Sequence, residues 1–266
     1  MRKIIIYVLF VSLAVSVLSC EYYLGYDQQP KFEKQNIEQG LNVFGMLRPD
    51  SVYSYNKSFV YVNRLMPVME PAGFNILKDA DVRIERIVND ELAETVRFPL
   101  VPSGSFFADT MYRPIMYFSP QPGDHYRMVC RYQELPDAVG ETTFPPEPLI
   151  KENSLSVNGR VVSFTLVADS LIGMVDVYRL TGQSYVPLMR LIPSAVMDTD
   201  VKLNLGMDPD SVRLALYSYD QNMAVYNGNS NISLNFNKFR TTITTLESGY
   251  GVFGAMNFTI IDLTEE

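Results

Sequence analysis

Pro120-Gln-Pro-Gly-Asp-His-Tyr-Arg-Met-Val-Cys-Arg-Tyr132 is the stretch that decides the fold class. Two prolines and a Gly-Asp pair make a turn, and the residues after it alternate in character. Tyr126, Met128 and Cys130 fall on one face, and His125, Arg127 and Val129 on the other. An apolar set that returns every second residue belongs to a half-buried strand rather than a helix. The first face is therefore expected in a core, with Cys130 a small buried hydrophobe and His125 a turn or surface residue.

Outward from that strand the same period dominates. Leu41 to Met46, Ser58 to Leu65, Ala80 to Glu85, Glu94 to Phe98, Ser105 to Ala108 and Ala138 to Phe144 read as short strands, with Asn89-Asp90 a hairpin turn. Beyond Pro145-Pro-Glu-Pro148 a second set follows: Gly159 to Ala168, Gly173 to Leu180, Tyr185 to Leu191, Val201 to Leu205, Val212 to Tyr219, Ile232 to Phe236 and Asn257 to Asp262. Asp220 to Tyr226 is the one stretch read as a short helix. The expected fold is all-β. A Tyr two residues after a Pro-Gly-Asp turn is how many immunoglobulin-like sandwiches open the strand bearing a tyrosine corner. The expectation is thus an immunoglobulin/fibronectin-like or transthyretin-like sandwich over 40–144, a Pro-rich linker over 145–152 and a second β-rich domain over 153–266. The two β regions either fold separately or continue into one fold.

The chain opens differently. Met1-Arg2-Lys3 is a short positive start, Ile4 to Leu18 is apolar, and Val17-Leu18-Ser19-Cys20 closes the run. Fifteen apolar residues fall short of the ~20 a spanning helix needs, so 1–19 reads as a secretory signal. The ending resembles a bacterial lipobox, which implies that Cys20 is acylated and becomes the first residue of the mature chain. Residues 20–39, polar and dotted with Tyr22, Tyr23 and Tyr26, then read as a tether from the membrane to the body. Acylation of Cys20 leaves Cys130 as the remaining thiol.

Composition narrows the chemistry. The 266 residues carry 22 basic and 30 acidic side chains, a net charge of −8, one histidine, two cysteines and no tryptophan. An acidic surface argues against wrapping nucleic acid. A serine triad would have His125 as its sole base, and His125 and Cys130, five apart on one strand, face opposite ways. Zinc sites of several His or Cys are excluded by arithmetic. Two carboxylates suffice for a glycosidase, and Asp79 with Asp81 or Asp90 with Glu91 are such pairs, each read as solvated at strand edges or turns. Asp198-Thr-Asp200, Asp208-Pro-Asp210 and Asn227-Gly-Asn-Ser-Asn231 are acidic or carbonyl-rich turns, but none completes a calcium loop. No catalytic residue, metal or cofactor is expected. Asp50-Ser, Asp109-Thr, Asp169-Ser and Asp210-Ser each resemble a short O-glycosylation acceptor, and each also suits a turn before a strand.

The run Thr244-Thr-Leu-Glu-Ser-Gly-Tyr-Gly-Val-Phe-Gly-Ala255 has a second meaning. Gly249, Tyr250, Gly251, Val252, Phe253 and Gly254 form either a contact loop for a partner or a tight corner that tucks Phe253 into the core. With Val212-Arg-Leu-Ala-Leu-Tyr-Ser-Tyr219, Leu41-Asn-Val-Phe-Gly-Met-Leu-Arg-Pro-Asp50 and the leader, this run resembles the domain-of-unknown-function family 4249 of Bacteroidota lipoproteins. Tyr250 stands where a second glycine is commoner in that family. The resemblance implies an envelope lipoprotein anchored to the outer membrane, on its periplasmic or cell-surface face, in a family often encoded beside TonB-dependent transporters and with no established activity. Bacteroidota fimbrial subunits, which also combine a lipobox with two β domains, and glycan-binding proteins are the alternative classes.

Overall fold

In a computed structural model, residues 39–49, 58–65, 77–101, 110–182, 184–209, 212–228 and 243–263 are described. The first set of strands is β1 (Leu41–Leu47), β2 (Phe59–Arg64), β3 (Asp81–Val88), β4 (Glu91–Arg97), β5 (Leu100–Val101), β6 (Met111–Tyr112), β7 (His125–Arg131) and β8 (Ala138–Thr143). The second is β9 (Ser156–Asn158), β10 (Val161–Leu166), β11 (Met174–Thr181), β12 (Ser184–Leu191), β13 (Thr199–Asn204) and β14 (Arg213–Tyr219). A helix, α1 (Gln221–Asn227), and a long last strand, β15 (Tyr250–Asp262), complete the body. The fold is all-β and of sandwich type, as the alternation predicts.

Three sheets form. The largest has eight strands in the order β12-β11-β14-β15-β1-β2-β6-β5, and two smaller sheets run β4-β3-β7-β8 and β13-β10-β9. Along β15, Phe253 and Ala255 enter one core with Val43, Val60, Val82, Met128 and Phe144, while Ile261 packs on a second core with Val162, Val177, Leu203 and Leu214. These three β15 residues share parity, so both small sheets cover the same face of the large one. Residues of the other parity, Val252 and Met256, join Phe44, Tyr61 and Tyr219 beneath Met223 and Tyr226 of α1. A strand covered on both faces is apolar along most of its length, and β1 is buried at all seven positions, with Asn42 its one polar residue.

The Pro-rich segment parts the two cores but not the large sheet. β15 pairs in parallel with β1 from Tyr250 to Ala255 and antiparallel with β14 from Met256 to Asp262. The C-terminal strand therefore returns to the first core, so strands from both sides of 145–152 share one sheet. Nor does the segment hang free. The buried Asn257 amide donates to the Pro145 carbonyl (3.2 Å) and the Ser218 hydroxyl to the Pro146 carbonyl (2.6 Å). Prolines stop the strand because they lack an N–H, yet their carbonyls still need donors, and the large sheet supplies them.

Around the deciding strand, the expectations hold in detail. Tyr126, Met128 and Cys130 are buried, and the Gln121 N–H donates to Tyr126 Oη at 2.9 Å, tying the turn to the strand in the manner of a tyrosine corner. Asn89 and Asp90 have φ of 53° and 63°, the left-handed pair of a two-residue hairpin. The expected strands at Ser105–Ala108 and Ile232–Phe236 lie outside the described residues. No described helix is long and apolar enough to cross a membrane.

Candidate functional site

A buried polar grouping lies on the α1 side of the large sheet. β11 and β12 pair so that Asp176 stands opposite Arg190. Asp176 is wholly buried, and Arg190 grips it with two parallel bonds, Nε to Oδ1 and Nη2 to Oδ2, each 2.7 Å. The remaining terminal nitrogen of Arg190 donates to the carbonyl of Asn227, the last residue of α1, at 2.8 Å. One side chain thus fastens β12, β11 and the helix end together. Burial pushes the Asp176 carboxyl above the ordinary carboxylate range, against the hydrogen bonds and charge of Arg190. Arg190 loses to burial but gains more from Asp176, and its pKa is raised. Both carboxylate oxygens are engaged by the guanidinium fork, which fixes the orientation of Asp176.

Aromatic residues surround this pair. Tyr178 packs edge-on against Tyr217 (5.4 Å between ring centres) and Tyr185 (6.5 Å). Its fully buried hydroxyl has no hydrogen-bond partner among the described residues, and burial pushes the phenol well up. Burial does the same to Tyr217 and Tyr219. Arg48 lies with its guanidinium 4.9 Å over the Phe59 ring, and burial lowers its pKa, while Tyr219, Tyr217 and Tyr61 oppose the shift. A cation set among protonated phenols and aromatic faces is suited to holding and packing rather than to proton transfer.

A second buried acid sits where the two halves meet. Asp220 follows β14 directly and caps α1, accepting the Met223 N–H at 3.0 Å. The Thr142 hydroxyl of β8 also donates to it. Its carboxyl is pushed up to about 6 by burial, against the hydrogen bonds from Thr142 and the backbone. The helix reaches this position because residue 254 is glycine: a Cβ there would lie 2.5 Å from Met223 Cγ and 2.8 Å from Asp220 Oδ1. No sequence signal sets Asp220 apart from the other acids, save its place just before the one helical stretch, where an Asp is a good cap.

The residues singled out from the sequence fall as follows. Gly249 precedes β15, and Tyr250 to Gly254 are its opening residues rather than a loop. Val252 and Phe253 are fully buried, so this run lines the interior, with Phe253 in the first core as the corner reading has it. Cys20 lies outside the described residues. Cys130 is buried and free, its thiol pushed far up by burial. His125 opens β7, with Nε2 3.0 Å from Glu141. Asp81 is neutralised by Arg83 at 2.7 Å and Arg97 at 3.2 Å, while Asp79, Asp90 and Glu91 are exposed. Asp198 pairs with Lys151 at 2.9 Å and Asp200 accepts from Thr165 at 2.8 Å. Asp169 accepts the Leu171 N–H at 2.8 Å, a turn contact, and the adjoining Ser170 is exposed. Asp50, Asp109 and Asp210 lie outside the described residues. Among the described residues, no group of three or more His, Cys, Asp and Glu is placed to hold a metal.

Set against known proteins, the chain matches no family model and no curated protein.

Proposed function

We propose that this chain is a lipid-anchored envelope protein of the outer membrane whose β body works by binding, as an accessory component beside a TonB-dependent transporter, and not by catalysis. The observation that carries the reading is the leader that ends Val17-Leu18-Ser19-Cys20, followed by a polar stretch and then a β body. The two-bond grip of Arg190 on the buried Asp176, with its third bond to the end of α1, and the pairing of Asp81 with two arginines support a holding and binding role. The transporter as partner follows from the family resemblance alone.

Two measurements test this. Metabolic labelling with a radioactive or alkyne fatty acid is expected to mark the wild-type protein and not Cys20→Ala, and the variant is expected to leave the membrane fraction. Affinity purification of the tagged, acylated protein from mild-detergent extracts is expected to bring a stoichiometric outer-membrane barrel. An unlabelled wild type overturns the anchor. Recovery of the lipoprotein alone, while a known complex survives the same detergent, overturns the accessory role and favours the fimbrial-subunit or glycan-binding reading.

A further inference from the structure

The segment between β6 and β7 holds three consecutive apolar residues out in solvent: Ile115, Met116 and Tyr117 are 74%, 79% and 77% exposed. Both flanks are committed to the body. Before the tip, Pro114 is buried, and the Arg113 N–H donates to the Pro99 carbonyl at 3.2 Å. After it, Phe118 is buried edge-on against Phe98 (5.6 Å) and Tyr126 (6.2 Å), and Pro120 is buried beyond it. A loop whose ends are pinned by core aromatics and prolines, and whose tip is apolar, keeps that tip from folding back onto its own core.

We infer that Ile115-Met116-Tyr117 is a membrane-contact tip that dips into the lipid surface to which the chain is anchored, an inference that rests on the anchored reading above. Size favours lipid over a protein. Three side chains at this exposure present on the order of 400 Å², about half of what each partner of a stable protein interface contributes. A bilayer needs no complementary shape and accepts a small apolar tip bearing a tyrosine, whose hydroxyl stays at the headgroups. Reach also favours it. Residues 20 to 38 lie between the acylation site and the described body, and nineteen residues span at most about 65 Å. The thirteen residues of β15, the longest strand, cover about 43 Å. That length of chain before the body permits the tip to meet the membrane. Without residues 1–19, which hold Arg2 and Lys3 and no acid, the net charge of −8 becomes −10 and opposes contact with anionic headgroups, so the contact is apolar in origin and salt, which screens that repulsion, does not weaken it.

The chain contains no tryptophan, so Tyr117→Trp creates a single fluorescent reporter at the tip. The acylated variant is reconstituted into phosphatidylethanolamine:phosphatidylglycerol vesicles, with and without brominated acyl chains. The expected result is a blue-shifted indole emission that brominated lipid quenches and high salt does not reverse. In unacylated mature protein carrying Cys20→Ser, adding Ile115→Asp and Met116→Asp is expected to weaken vesicle binding by at least about tenfold. An emission typical of water and unaffected by brominated lipid, in protein that still sediments with the vesicles, overturns the tip while leaving the anchor standing. Protein that fails to sediment, with Cys20→Ala behaving like wild type, overturns the anchor, and the unacylated titration then decides the tip by itself. A reporter that stays in water in pure lipid but shifts to the blue only when outer-membrane proteins are added identifies a protein partner and overturns the lipid assignment.

Discussion

Asp220 shows how much one carboxyl can decide. It caps α1, receives the Thr142 hydroxyl from β8 and stands over Gly254 of β15, so its protonation state is felt by the helix and both halves of the sheet. Its folded pKa of about 6 exceeds the ordinary value of 3.8. Between those values the native state holds a proton that the unfolded state has released, so stability falls as pH rises from about 4 to about 6 and is level above. The full change is about 3 kcal/mol. The Asp220→Asn variant should lose this slope. Urea unfolding at pH 4, 5, 6 and 7 would show the wild-type-minus-variant difference falling by about 2 kcal/mol across the series, because the unfolded carboxyl is already partly ionised at pH 4. A difference that stays flat would mean that the hydrogen bonds hold the carboxylate ionised throughout.

At the scale of elements, β15 is the least ordinary strand, because glycines are depleted from strands and three of its flanking and opening positions are Gly249, Gly251 and Gly254. Gly251 explains the exception. Its φ is +104° and a Cβ there would fall 2.0 Å from the Val43 carbonyl oxygen of β1, so only glycine lets the parallel pair close. Gly123 in the turn before β7 also has a positive φ, +84°, but a Cβ there would meet nothing within 4 Å. The two positions separate conformational strain from steric overlap. Gly123→Ala should cost about 1–2 kcal/mol, the strain alone. Gly251→Ala should cost more than about 3 kcal/mol or prevent folding, because backbone rather than a movable side chain stands in the way. Chemical denaturation of both variants gives the comparison, and equal costs would mean that β1 and β15 can part without penalty.

Over the whole molecule, β15 turns two cores into one mechanical body. Its first half lends Phe253 to the first core and its second half lends Ile261 to the second. Loss of either core therefore strips a strand from the other, and the body should unfold in one cooperative transition. Phe253→Ala and Leu214→Ala, one in each core, should each cost about 3–5 kcal/mol and shift the same single calorimetric peak. Two peaks, each moved by one substitution only, would show that the halves unfold independently despite the shared strand.

Period-two alternation was enough to make the protein all-β, to bury the Tyr126, Met128 and Cys130 face and to place the Asn89-Asp90 turn, because strand pleating and turn chemistry are local. The leader over 1–19 and the acylation of Cys20 remain expectations from linear sequence, since both lie outside the described residues. Tertiary structure alone decided the rest. It made the glycine-rich run from Gly249 a buried strand, because the partner that demands glycine, β1, lies some two hundred residues earlier in the chain. It joined Asp176 to Arg190 across β11 and β12 and brought Thr142 to Asp220, contacts that no spacing encodes. It also separated the acids matched in pairs from those left in solvent and held Ile115, Met116 and Tyr117 outside the core. Their apolar character is visible in sequence, but their exposure depends on what packs against Pro114 and Phe118 on either side.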